Sequence, residues 1–140
     1  IFLFILLTIL TNCSKQNPIS ELGSQFLLHL KTKTTVSFNN VLVLTPSDCE
    51  SCLLKDIELL DILQSNPNTK NVLVVSTATM LKHFYLRFNN INFLELSNIE
   101  LQRYGHIGNL GTLYDLTEQT EFTLDLDAQP TNIVTIQTLH

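Results

Sequence analysis

Cys49 and Cys52 are separated by two residues in the stretch TPSDCESCLL, residues 45–54. A pair at this spacing can exchange thiols for disulfides: one sulfur attacks a substrate disulfide as the thiolate, and the other resolves the mixed disulfide. If the pair opens a helix, unpaired N–H groups and the helix dipole favour the thiolate there. The N-terminal member of such a pair is the more open, so Cys49 is expected as nucleophile and Cys52 as resolving thiol. A structural disulfide is the plain alternative, although so small a loop constrains the unfolded chain little. Zinc would need a second CxxC or a closely spaced histidine pair. His29, His83, His106 and His140 are not so spaced. A copper site would need both thiols and a distant histidine, with His106 the candidate. Ser47 has no His or Asp arrangement that would make it a nucleophile.

The elements that must hold the pair follow from the apolar pattern. Residues 41–45, VLVLT, form a continuous β-branched and apolar run, as in a strand covered on both faces, and Pro46 ends it. Ser47 followed by Glu50 is a capping-box signature. It predicts a helix from about residue 48 to 64 with Leu53, Ile57 and Leu60 on one face, closed by Asn66, Pro67 and Asn68. Strands are predicted at 71–77 and 91–96, with a helix-spaced stripe of Met80, Leu81, Phe84, Tyr85 and Phe88 between them. Ser97 and Glu100 form a second capping box for a short helix ending near Gly105. Upstream, Ser20 caps a helix bearing Leu22, Phe26, Leu27 and Leu30. GTLYDLT and EFTLDLD read as two strands of a hairpin, and residues 132–139 lean towards strand. Alternating strands and helices predict an α/β fold: a central mixed sheet flanked by helices, with a C-terminal β-hairpin.

The bulk properties set the context. The chain has 140 residues, 44% hydrophobic and 15% charged, enough for one domain with a core. The net charge is −5 and the eight Lys and Arg are scattered, which argues against a nucleic-acid partner. IFLFILLTIL, residues 1–10, is too short for a bilayer span of roughly 20 residues and has the length of a signal-peptide core. Its last residue, Leu10, with Thr11, Asn12 and Cys13 after it, resembles the lipobox of bacterial lipoproteins. The expected organisation is a signal peptide over 1–12, lipidated Cys13 and a tether over 13–19, and a single domain over 20–140. With Cys13 lipidated, the two other cysteines are the CxxC pair, in an envelope compartment where disulfides persist.

Strand, CxxC and helix in this order resemble the thioredoxin-like family, and the likeness extends from about Val41 to Asp127. It includes YGHIGNLGTLYDL, similar to the segment that leads into that family's fourth strand. LVLTPSDCESCL is also similar to Bacteroidetes-type lipoproteins carrying such a domain. The resemblance implies a thiol–disulfide oxidoreductase acting on envelope proteins, re-reduced by a partner reductase, without a bound cofactor. It places substrate binding at Leu110 and Gly111, where the family has a cis-proline. Val43 stands where the family has a buried acid. Asp48 and Glu50 beside Cys49 repel a thiolate, so the pair is expected to be a weak oxidant. A module with the same fold, binding a partner protein and keeping the disulfide for structure alone, is the second reading.

Overall fold

The computed structural model describes residues 17–46, 50–108 and 111–124. Among these, the strands are β1 (Asn17–Pro18), β2 (Asn40–Val43), β3 (Val72–Ser76), β4 (Asn92–Glu95), β5 (Gly111–Asp115) and β6 (Thr120–Leu124). The α-helices are α1 (Glu21–Lys33), α2 (Glu50–Ser65), α3 (Ala78–Leu81) and α4 (Asn98–Arg103). The strands form one mixed sheet in the order β1-β6-β5-β2-β3-β4. Strands β2, β3 and β4 run parallel, and β5 pairs antiparallel with both β2 and β6. The expected α/β architecture with helices on a mixed sheet is therefore present.

β2 lies inside the sheet because it is apolar on both faces. Leu42 and Leu44 point to one side and Val41 and Val43 to the other, each nearly or wholly excluded from solvent. On the first face, Leu59, Leu60 and Leu63 of α2 and Met80 and Leu81 of α3 pack against Leu42, Leu44, Val72, Val74 and Leu113. On the second, Phe26, Leu27 and Leu30 of α1 and Leu101 of α4 cover Val41, Val43, Leu73, Val75 and Tyr114. The β2–β3 and β3–β4 crossovers thus put α2 and α3 on the same side, as crossovers of one hand must.

Local chemistry starts and stops these elements. The Ser20 hydroxyl accepts from the Gly23 N–H at 3.0 Å and opens α1, while Lys31 and Lys33 sit in its last turn, where the dipole favours cations. The Ser97 side chain accepts from the Glu100 N–H at 3.1 Å, and Glu100 accepts from the Ser97 N–H at 2.9 Å. Both halves of that predicted capping box are made. Gly105, with φ of +82°, turns the chain off after α4 in the left-handed region that glycine tolerates.

Three segments differ from expectation. Asn17 and Pro18, read as tether, pair with Glu121 and Thr120 at the sheet edge, a place that suits a proline lacking its N–H donor. The Met80–Phe88 stripe is regular helix only as far as Leu81. Beyond it, successive turns (His83 N–H to Met80 carbonyl 3.1 Å, Phe88 N–H to Phe84 carbonyl 2.9 Å) still direct Phe84 and Phe88 inward. Burying two aromatics dominates the local energetics here, and Leu86, pointing outward, is left 99% exposed. The α2 face is also rotated: Cys52, Asp56, Leu59, Leu60 and Leu63 are buried, whereas Leu53 and Ile57 lie at its margin. The expected strand at 132–139 and the leader over 1–12 lie outside the described residues.

Candidate functional site

α2 begins a few residues after the carboxyl end of β2, so its first turn stands over the edge of the central parallel strands. Cys52 lies in that turn and is 9% exposed. It is in the disulfide form, and its partner sulfur lies outside the described residues. Cys49, Cys13 and Leu110 likewise lie outside them. Glu50 occupies the start of α2, exposed to solvent.

Gly111 is the first residue of β5, and its neighbour Thr112 pairs with Val43. A Cβ at Gly111 would meet the Val43 carbonyl oxygen at 3.0 Å and a Leu124 methyl at 3.2 Å. The chain here is bare backbone lying against backbone. Gly111 thus sits at the strand end from which the cysteine segment departs. Of the predicted site residues, the structure brings Cys52 and Gly111 to the same edge of the sheet.

It separates His106 from them. That side chain is buried, with its ring 4.4 Å from the Phe26 ring and its Nε2 3.2 Å from the Tyr114 hydroxyl. Both partners belong to the face covered by α1, and the sheet lies between it and the face carrying Cys52. His106, the histidine that a copper site with the two thiols would have used, is instead buried beside aromatic rings, and burial pushes its pKa down to about 4. Desolvation, with Glu121 nearby, also raises the Tyr114 pKa. Among the described residues no cluster of three His, Cys, Asp or Glu side chains could hold a metal ion.

Sequence reasoning missed Asp56. It lies four residues after Cys52 on the same face of α2 and is 8% exposed. None of the hydrogen bonds or ion pairs among the described residues involves it. The sheet residues that α2 covers, Leu42, Leu44, Val72, Val74, Leu113, Phe122 and Leu124, are all apolar. Desolvation therefore raises its pKa to about 7, so at neutral pH the carboxyl both holds and releases a proton. The signal was present: counting back from Leu63 and Leu60 by helical steps lands on Asp56 and Cys52. A search for apolar residues passes over both.

Hollows among the described residues include one at the end of α2 and one beside β3 and β4. The larger, about 470 Å³, is lined by Asp61, Ile62, Ser65, Asn66 and Pro67 at the far end from Cys52. The smaller, about 330 Å³, lies at the carboxyl edge of β3 and β4 and reaches Pro46.

No family model, no curated protein and no solved structure matches the chain.

Proposed function

We propose that this protein is a thiol–disulfide oxidoreductase with a thioredoxin-like fold. It acts on protein disulfides of a bacterial cell envelope, facing the periplasm and held to the membrane by lipid on Cys13. One observation carries the reading: Cys52 enters the first turn of a long helix just after the central parallel strand, with a buried, unpaired carboxyl one turn behind it. The parallel neighbour β3 on one side of β2 and the antiparallel β5 and β6 on the other support it. So does Gly111 against the end of β2.

In the proposed cycle, the Cys49 thiolate attacks one sulfur of the substrate disulfide, and the leaving substrate thiolate takes up a proton. Asp56, as carboxylate, accepts the Cys52 proton. The Cys52 thiolate then attacks the Cys49 sulfur and releases the second substrate thiolate, which is protonated in turn. Two electrons pass to the substrate and the Cys49–Cys52 disulfide forms. A dithiol partner reductase returns the electrons, and no bound cofactor takes part. Gly111 and Leu110 present backbone to the substrate chain. Asp48 and Glu50, next to Cys49 in sequence, disfavour its thiolate, which makes the pair less oxidising.

The test is reduction of insulin by the dithiol protein beside Cys49→Ser. Wild type is expected to turn over, and the variant to fall to the uncatalysed rate. Equal rates in both would leave the chain as a partner-binding module whose disulfide is structural.

A further inference from the structure

The hollow at the carboxyl edge of β3 and β4 has a distinctive lining. Thr77 and Leu96 form its buried floor, and Pro46, Glu95 and Asn98 stand among its walls and rim. At about 330 Å³ it is at the small end of ligand pockets, which run roughly 300–1,000 Å³. Pro46 is three residues before Cys49. Three residues of chain reach at most about 11 Å, which bounds the distance along the backbone from the Pro46 wall to Cys49.

Two features of the lining bear on what it could hold, a buried hydroxyl without a partner and a solvent-exposed carboxylate. The Thr77 hydroxyl is buried and has no hydrogen-bond partner. Leaving such a group unpaired is destabilising, and Thr77 does not cap α3 with its side chain. The second is Glu95. No ion pair among the described residues involves it, and no Lys or Arg lines the hollow. Glu100, one turn into α4, is the contrast. The Ser97 N–H and Lys33 ammonium, at 3.0 Å, occupy its carboxylate and hold its pKa down to about 2.

We infer that this hollow is a subsite for a lysine or arginine side chain of the polypeptide whose disulfide is presented to Cys49. The inference rests on the thiol-exchange reading for the identity of the substrate, and on the pocket alone for its chemistry. The aliphatic stem lies along Leu96 and Pro46. The cation meets the Glu95 carboxylate, and the Thr77 hydroxyl gains the partner it lacks. Glu50, exposed at the start of α2, carries the same sign of charge, which steers cationic chains to this end of the sheet.

The test uses two cysteine-free peptides, identical except for a central Arg or Glu, titrated into the isotope-labelled protein. Backbone amide shifts at Thr77, Ala78 and Asn98 are the readout. The Arg peptide is expected to shift these amides and to bind about tenfold or more tightly than the Glu peptide. Glu95→Gln should weaken the Arg peptide about threefold, the size of one exposed ion pair. Thr77→Val should weaken it about fivefold while leaving thermal stability equal or higher, which a purely structural hydroxyl would not do. Glu118→Gln, in the turn at the opposite end of the sheet, is the control. Equal binding of the two peptides, shifts confined to other surfaces, or no binding overturns the inference. Reduction of a small uncharged disulfide by the wild type reports the thiol chemistry separately. Arg-peptide binding without that reduction would sink the oxidoreductase reading and leave the subsite standing.

Discussion

Among the described residues both faces of the sheet bury titratable groups, and His106 on one and Asp56 on the other are treated in opposite ways. Under α1, His106 is hydrogen-bonded to Tyr114 and packed on Phe26. Burial pushes its pKa down to about 4, so it is neutral and inert at physiological pH. Under α2, Asp56 has apolar neighbours and no partner, and burial raises its pKa to about 7. The same desolvation silences one group and poises the other. A buried polar group with a matched partner is architecture; one without a partner is a standing cost, and here it stands one helical turn from a cysteine.

The contrast is broken most severely at Asp56. In the folded chain its pKa lies above the unfolded value of 3.8. The native state therefore holds more protons than the unfolded state between about pH 4 and pH 7. Stability falls as pH rises through that window, and the penalty is complete above it, on the order of 4 kcal/mol. Asp56→Asn should remove the fall, so that urea unfolding at pH 8 gives a more stable protein while the resolving step slows. A variant with the wild-type pH dependence would show that the carboxyl is not desolvated.

The opposite slope comes from His106. Its folded pKa is depressed from 6.5, so its contribution is full above about pH 6.5 and is lost as pH falls to about 4. The amount is on the order of 3 kcal/mol. His106→Gln should abolish that loss and leave the Asp56 slope uncovered. In wild type the two slopes oppose between pH 4 and 6.5, and the stability curve should be flatter than in either variant. A smaller change sharpens the same comparison. Tyr114→Phe removes the partner of His106 and should cost about 1–2 kcal/mol at pH 7 by thermal unfolding, without altering thiol exchange. If it slowed exchange, the two faces would be coupled through the sheet.

Much of the scaffold is legible from the chain because it is set by local chemistry. The runs at 41–44 and 72–75 are apolar without interruption, as strands covered on both faces need, and 91–96 is apolar enough to read as a third strand although Asn92 and Glu95 interrupt it. Ser97 and Glu100 define a helix start from within four residues. What was not legible depends on partners distant in sequence. Asn17 and Pro18 look like tether until Thr120 and Glu121 lie beside them. His106 looks solvated until Phe26 and Tyr114 close over it. Of the candidate site, the cysteine pair and Gly111 stood out by type and spacing. Asp56 did not, because a hydrophobic pattern assigns a carboxylate to the outside. The rotation of α2 that buries it is decided by Leu59, Leu60 and Leu63 finding their places on the sheet.

The first strand also has a mechanical meaning. Two residue pairs to β6, and the Ile19 N–H bonded to the Gln119 carbonyl at 3.2 Å, fasten the segment before α1 to the sheet edge. Tension arriving along the backbone towards Asn17 meets this short clasp first. With two residue pairs against four or five in the β2, β3 and β5 pairings, it would unfasten under a load that leaves those intact, so the fold carries a weak link that yields before the core is strained.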